Sequence, residues 1–91
     1  MGAAIYRKNY IFQGRVQGVG FRYHARSAAE YFGVTGWVRN CYDGTVEMEL
    51  QGTLEQMEQV LKVLQNATFV HIEGMETKEI PLEEERGFRV R

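Results

Sequence analysis

Cysteine is nearly missing from this chain: its 91 residues hold one, Cys41, which has no partner for an internal disulfide. A reducing compartment is the simplest expectation. Net charge is nearly missing too, at −1 at pH 7, so the bulk balance draws the chain neither to nucleic acid nor to an anionic membrane. Any anion site must therefore be local. No stretch approaches the roughly 20 apolar residues of a membrane-spanning helix, and the opening MGAAIYRKN lacks the apolar run of a signal peptide. Repeats and low-complexity tracts are absent, as is any cluster of Cys, His and carboxylates at metal-ligand spacing. We expect a cytoplasmic, single-domain monomer over residues 1–91, needing no metal or other cofactor.

What is there is the 44% apolar and 25% charged make-up of an ordinary globular protein, laid out in alternating periods. YRKNYIFQ, residues 6–13, has the aromatic and β-branched content of a strand, which Gly14 is expected to end. Phe21, Ala25, Ala28 and Phe32 then recur at helical spacing, and Gly33 is a left-handed stop. VTGWVRN reads as a second strand, Asp43-Gly44 as a hairpin turn and TVEMELQ as a third strand with Val46, Met48 and Leu50 on one face and Glu47 and Glu49 on the other. Thr53 and Gln56 have the form of a capping box, followed by the stripe Leu54, Met57, Leu61 and Leu64 of a second helix ending near Asn66. A fourth strand runs from about Val70 to Ile80, although Ile72 and Met75 differ in parity, and a short last one covers Phe88 to Val90. LEEER, between them, reads as a solvated loop.

The order β-α-β-β-α-β is the split βαβ of ferredoxin-like α+β domains, an antiparallel sheet with both helices on one face. That architecture hosts enzymes and binding modules alike, so the site must decide.

GRVQGVGFR, residues 14–22, falls between strand one and helix one. A glycine-rich turn entering a helix offers unpaired backbone N–H groups and the positive end of the helix dipole, a setting that binds phosphate or carboxylate. Gly18 and Gly20 let the backbone turn and an anion approach, and Arg22 adds a planar two-pronged donor. The plain alternative is a tight connection with a solvent-facing arginine. A Walker loop would need Gly-Lys-Ser/Thr, which is absent, and the dinucleotide fingerprint would need glycine where Tyr23 stands. A cysteine phosphatase would need an arginine where Glu47 stands, which leaves Cys41 a bystander.

GRVQGVGFR, followed by GWVRN, DGTVE and the closing GFRVR, resembles the acylphosphatase family over nearly the whole chain, in length and element order as well. The resemblance implies hydrolysis of acyl phosphates to carboxylate and inorganic phosphate. It implies that the backbone of Gln17, Gly18, Val19, Gly20, Phe21 and Arg22 cradles the phosphate. The Arg22 guanidinium would then hold it, and Asn40 would position the attacking water. Two departures stand out: QNATFVHIE lacks the Gly-Pro that members often carry after helix two, and Tyr42 replaces a frequent proline.

The residue types agree with that chemistry. An arginine, an amide and backbone donors include no strong general acid, so an alkyl phosphate's poor leaving group would go unprotonated. A carboxylate, with a conjugate-acid pKa of about 4, departs without help. The alternative is a non-catalytic anion- or protein-binding module on the same fold. An RNA-binding version would want stacked aromatics on the third strand, and TVEMELQ has none. His24 and His71 read as structural or exposed, Trp37 as packing, and Arg39 as a rim charge; Arg15 and Arg26 read as solvated charges.

Overall fold

The computed structural model describes residues 2–91. Its elements are β1 (Tyr6–Arg15), α1 (Phe21–Phe32), β2 (Thr35–Asn40), β3 (Val46–Gly52), α2 (Leu54–Asn66), β4 (His71–Ile80) and β5 (Phe88–Val90). The sheet order is β4-β1-β3-β2-β5. The four long strands pair antiparallel, as expected, whereas β5 joins the edge of β2 in parallel. The fold is the ferredoxin-like α+β sandwich.

Alternation on β3 decides which face is dry. Val46, Met48 and Leu50 are fully buried, and they meet Tyr10 and Phe12 of β1 and Val38 of β2. Phe21, Ala25, Ala28 and Ala29 of α1 and Met57, Val60 and Leu64 of α2 close over them. Small alanines on α1 let that helix lie close to the sheet. The α2 stripe is shifted from the expected one: Val60 is buried, while Leu54 is 45% exposed at the first turn. The local signals hold elsewhere. The Thr53 hydroxyl accepts from Gln56 N at 3.1 Å and the Gln56 side chain accepts from Thr53 N at 2.9 Å, completing the capping box. Gly33 takes the left-handed cap of α1 at φ 74°.

Strand one does not stop at Gly14. It continues to Arg15 because β4 bulges opposite: Gln13 pairs with Gly74 and Gly14 with Ile72, leaving Glu73 unpaired. The extra residue resolves the parity conflict. Residues directly opposite share a face, so Ile72 across from Gly14 and Met75 across from Phe12 both turn toward the helices. Gly14 is needed there, since at φ 121° a Cβ would enter the His71 carbonyl oxygen and reach 2.7 Å from Glu73 N.

The other face is only partly wet. The Arg7 guanidinium is fully buried on it, donating to Glu49 at 3.0 Å, Gln51 at 3.2 Å and Glu85 at 2.8 Å. Burial alone would lower its pKa, but these carboxylates outweigh it and the net shift is upward. The LEEER segment is thus a strap rather than a solvated loop: the Glu85 side chain is 6% exposed, and Gln51 clasps the Glu83 backbone at both N and O. Trp37 also lies on this face, packed as expected, with the Arg91 guanidinium 4.3 Å from its ring centre.

Candidate active site

The two helices begin differently. α2 satisfies its own first turn through Thr53 and Gln56 and carries Glu55 there. Gly20, the N-cap of α1, has no side chain to donate or accept, and α1 has no acidic residue in its first turn. The first bond of that helix runs from His24 N to Gly20 O at 3.0 Å. The N–H groups of Phe21, Arg22 and Tyr23 therefore precede the helical ladder at the positive end of the dipole. Gly18 at φ 71° and Gly20 at φ 80° take left-handed conformations that a bulky residue would resist.

A cavity of about 390 Å³ sits at this helix start, lined by Gly18, Gly20, Phe21, Arg22 and Asn40 among others. Five of the seven residues singled out from the sequence thus share one space. Asn40 comes to it as the last residue of β2, beside the hairpin. The other two do not line it. Val19 packs against the core, and the Gln17 side chain turns to the hairpin, where its amide donates to Cys41 O at 2.8 Å and Thr45 O at 2.9 Å.

The hairpin is itself well tied. Cys41 N donates to Thr45 O at 2.8 Å, and Asp43 accepts from the Thr45 hydroxyl at 2.6 Å and its N–H at 3.1 Å. Those bonds hold the Asp43 carboxyl below its ordinary pKa. Arg39 pairs with Glu47 across the strands at 2.6 Å, which makes it a surface charge on the sheet face away from the helices rather than part of the cavity wall. Cys41 is half-buried with a free thiol.

Three further participants escaped the sequence. Arg22 Nη1 donates to the Arg91 carbonyl oxygen at 3.0 Å, so the residue that follows β5 holds the guanidinium. Val90, on the same strand, and Tyr23, beside Arg22, line the cavity. No local pattern announces a contact between Arg22 and Arg91, 69 residues apart. Among the described residues, no group of three or more His, Cys, Asp and Glu side chains is placed to hold a metal ion. Among the same residues, no helix is long and apolar enough to cross a membrane.

A ferredoxin-like sandwich that leaves a glycine-lined helix start open, with an arginine and an amide lining one cavity, has the make-up of a small anion-binding domain. Known proteins make the class specific. A model of the acylphosphatase family matches residues 8–90. The chain is 42% identical to an acylphosphatase of Clostridium acetobutylicum over 85% of its own length and 87% of that relative. It is 47% identical to one of Bifidobacterium longum over 68% of its length, spanning just under two thirds (64%) of that relative. The crystal structure of the Bacillus subtilis acylphosphatase superposes with a TM-score of 0.88 at 30% identity, covering 97% of this chain and 99% of that one. This chain belongs to the acylphosphatase family, enzymes that hydrolyse acyl phosphates to a carboxylate and inorganic phosphate.

Proposed function

We propose that hydrolysis proceeds by in-line attack of one water on phosphorus, with the phosphoryl group held by Arg22 and the backbone N–H groups of residues 17–22 and the water oriented by Asn40. The water oxygen forms the new bond to phosphorus as the bond to the acyl oxygen breaks. The carboxylate leaves with the electron pair, and the water's proton passes to the phosphate product or to solvent. The leaving group needs no acid, because its conjugate acid has a pKa of about 4. Catalysis is then positioning and fixed positive charge, which backbone donors and one guanidinium supply without a metal or covalent intermediate.

One observation carries this reading: Asn40 and Arg22 come from different elements yet line the same cavity as Gly18 and Gly20. An amide is neither base nor acid at neutral pH, so orienting a water by hydrogen bonds is the chemistry open to it. A monomer is the working unit of this reading, and the lone cysteine supports a reducing, cytoplasmic setting. Benzoyl phosphate turnover with and without EDTA tests the reading. Equal rates are expected, and loss of activity in EDTA with recovery on adding magnesium would contradict it.

A further inference from the structure

The cavity is larger than a phosphoryl group needs. Its volume of about 390 Å³ leaves room beside a bound phosphoryl group of a few heavy atoms. Most of the remaining wall is apolar: Val16, Tyr23 and Val90 line the same space as Arg22 and Asn40. Tyr23 stands out among them. Its side chain is 70% exposed although it directly follows Arg22 on the first turn of α1, so its ring is not committed to the core. It is nonetheless supported, edge to face, by His24 at 5.7 Å between ring centres and 70° between planes. The His24 ring in turn lies close to Gly20, 3.7 Å from where a Cβ would stand.

We propose that Tyr23 is the acyl-group platform of this enzyme and makes it selective for aromatic acyl phosphates over short aliphatic ones; this rests on the hydrolytic reading above. With the phosphate at the helix start, the acyl group extends along the rest of the wall, where a flat ring stacks on Tyr23 and the edge of Val90 closes on it. Offset stacking with ring centres 4.5–7 Å apart adds to simple apolar burial, and an acetyl group has no face to offer. The other cation on the wall, Arg26, sits in an exposed pair with Glu30 at 3.3 Å.

The test compares kcat/KM for benzoyl phosphate and acetyl phosphate in the parent, Tyr23→Ala, Tyr23→Leu and Tyr23→Phe, each checked for a cooperative unfolding transition. The benzoyl-to-acetyl ratio is expected to fall by about 10-fold in Tyr23→Ala, mainly through KM, from the lost stacking and apolar contact together. A smaller fall is expected in Tyr23→Leu, and a ratio within about twofold of the parent in Tyr23→Phe, which keeps the ring face. An unchanged ratio in folded Tyr23→Ala, or an equal loss on both substrates, would overturn the proposal, the latter because Tyr23 would then act on the loop rather than on the acyl group. Parent enzyme that turned over neither compound would strike the hydrolytic reading itself, and this one with it.

Discussion

The Gln17 side-chain amide donates to the Cys41 carbonyl oxygen at 2.8 Å, and with its second bond to Thr45 it ties the glycine loop to the hairpin that follows Asn40. The two halves of the site are thus braced by a side chain that does not itself line the cavity. Gln17 was singled out in the sequence for its backbone, and the structure adds a second role that the backbone argument did not contain.

Removing that brace is expected to loosen Asn40 relative to Arg22. Gln17→Ala leaves the Gln17 N–H in place but strips two hydrogen bonds from the hairpin carbonyls, at a cost of about 1–3 kcal/mol of stability. The larger effect is expected on kcat, with phosphate inhibition changing less, because water placement suffers more than anion binding. Chemical denaturation and steady-state kinetics on the same preparation check both.

Arg7 lies on the far face of the sheet and tests the strap. Replacing it with methionine keeps much of its apolar stem but leaves Glu49 and Glu85 without their cation. Breaking a buried pair from one side costs about 3–5 kcal/mol. Glu83, more than half exposed, adds little, so the lower end of that range is expected for Arg7→Met. For a domain of this size that corresponds to a drop in Tm of well over 10 °C, at about 4–8 °C per kcal/mol. A Tm within a few degrees of the parent would show that the strap is held by something else.

Acid is expected to weaken the hairpin face. Burial pushes the Glu47 carboxyl up, but hydrogen bonds from Asn9 at 2.8 Å and from Arg39 more than offset this and hold it below its ordinary pKa. Asp43 is likewise held down, by Thr45. Groups with depressed folded pKa values bind more protons when unfolded, so their stabilisation is fully present above the unfolded value of about 4 and is lost as pH falls through the folded value. Tm should therefore drop on acidification below about pH 4, and Glu47→Gln should flatten that drop. An identical acid profile for Glu47→Gln would remove Glu47 from the account.

Short-range features of this fold were legible in the residues and long-range ones were not. The Thr53 and Gln56 capping box, the Asp43-Gly44 turn, the Gly33 stop and the β3 alternation each depend on neighbours within a few positions, and each is found. The bulge at Glu73 was not, because an extra residue on β4 shows only once its register against β1 is known. The Arg7–Glu85 pair joins positions 78 apart, and the parallel edge that brings Arg91 to Arg22 depends on where the last three strand residues dock. After α2, Phe69 takes a left-handed conformation at φ 73°, a residue type that gives no hint of it. The loop and Asn40 could be picked out together only through the family resemblance, since glycines alone mark a turn as readily as a site.

Asn40 is expected to act on the way to the transition state. Asn40→Ala should lower kcat by about 100-fold or more, while phosphate inhibition stays within a few-fold of the parent, because a water-orienting amide contributes little to ground-state anion binding. Asn40 closes β2 beside the hairpin, so the assay is run on protein with an intact unfolding transition. A near-parental kcat in that folded variant would leave water placement to the loop or the substrate.

Arg22 carries the opposite expectation, and inhibition of folded Arg22→Ala by inorganic phosphate tests the central claim most directly. If the guanidinium holds the phosphoryl group in both ground and transition states, phosphate inhibition should disappear and kcat/KM should fall by about 100-fold or more, as for removal of a single oxyanion donor. Retained inhibition at millimolar phosphate in the folded variant would contradict the assignment of Arg22 and, with it, of the cavity as the phosphate site.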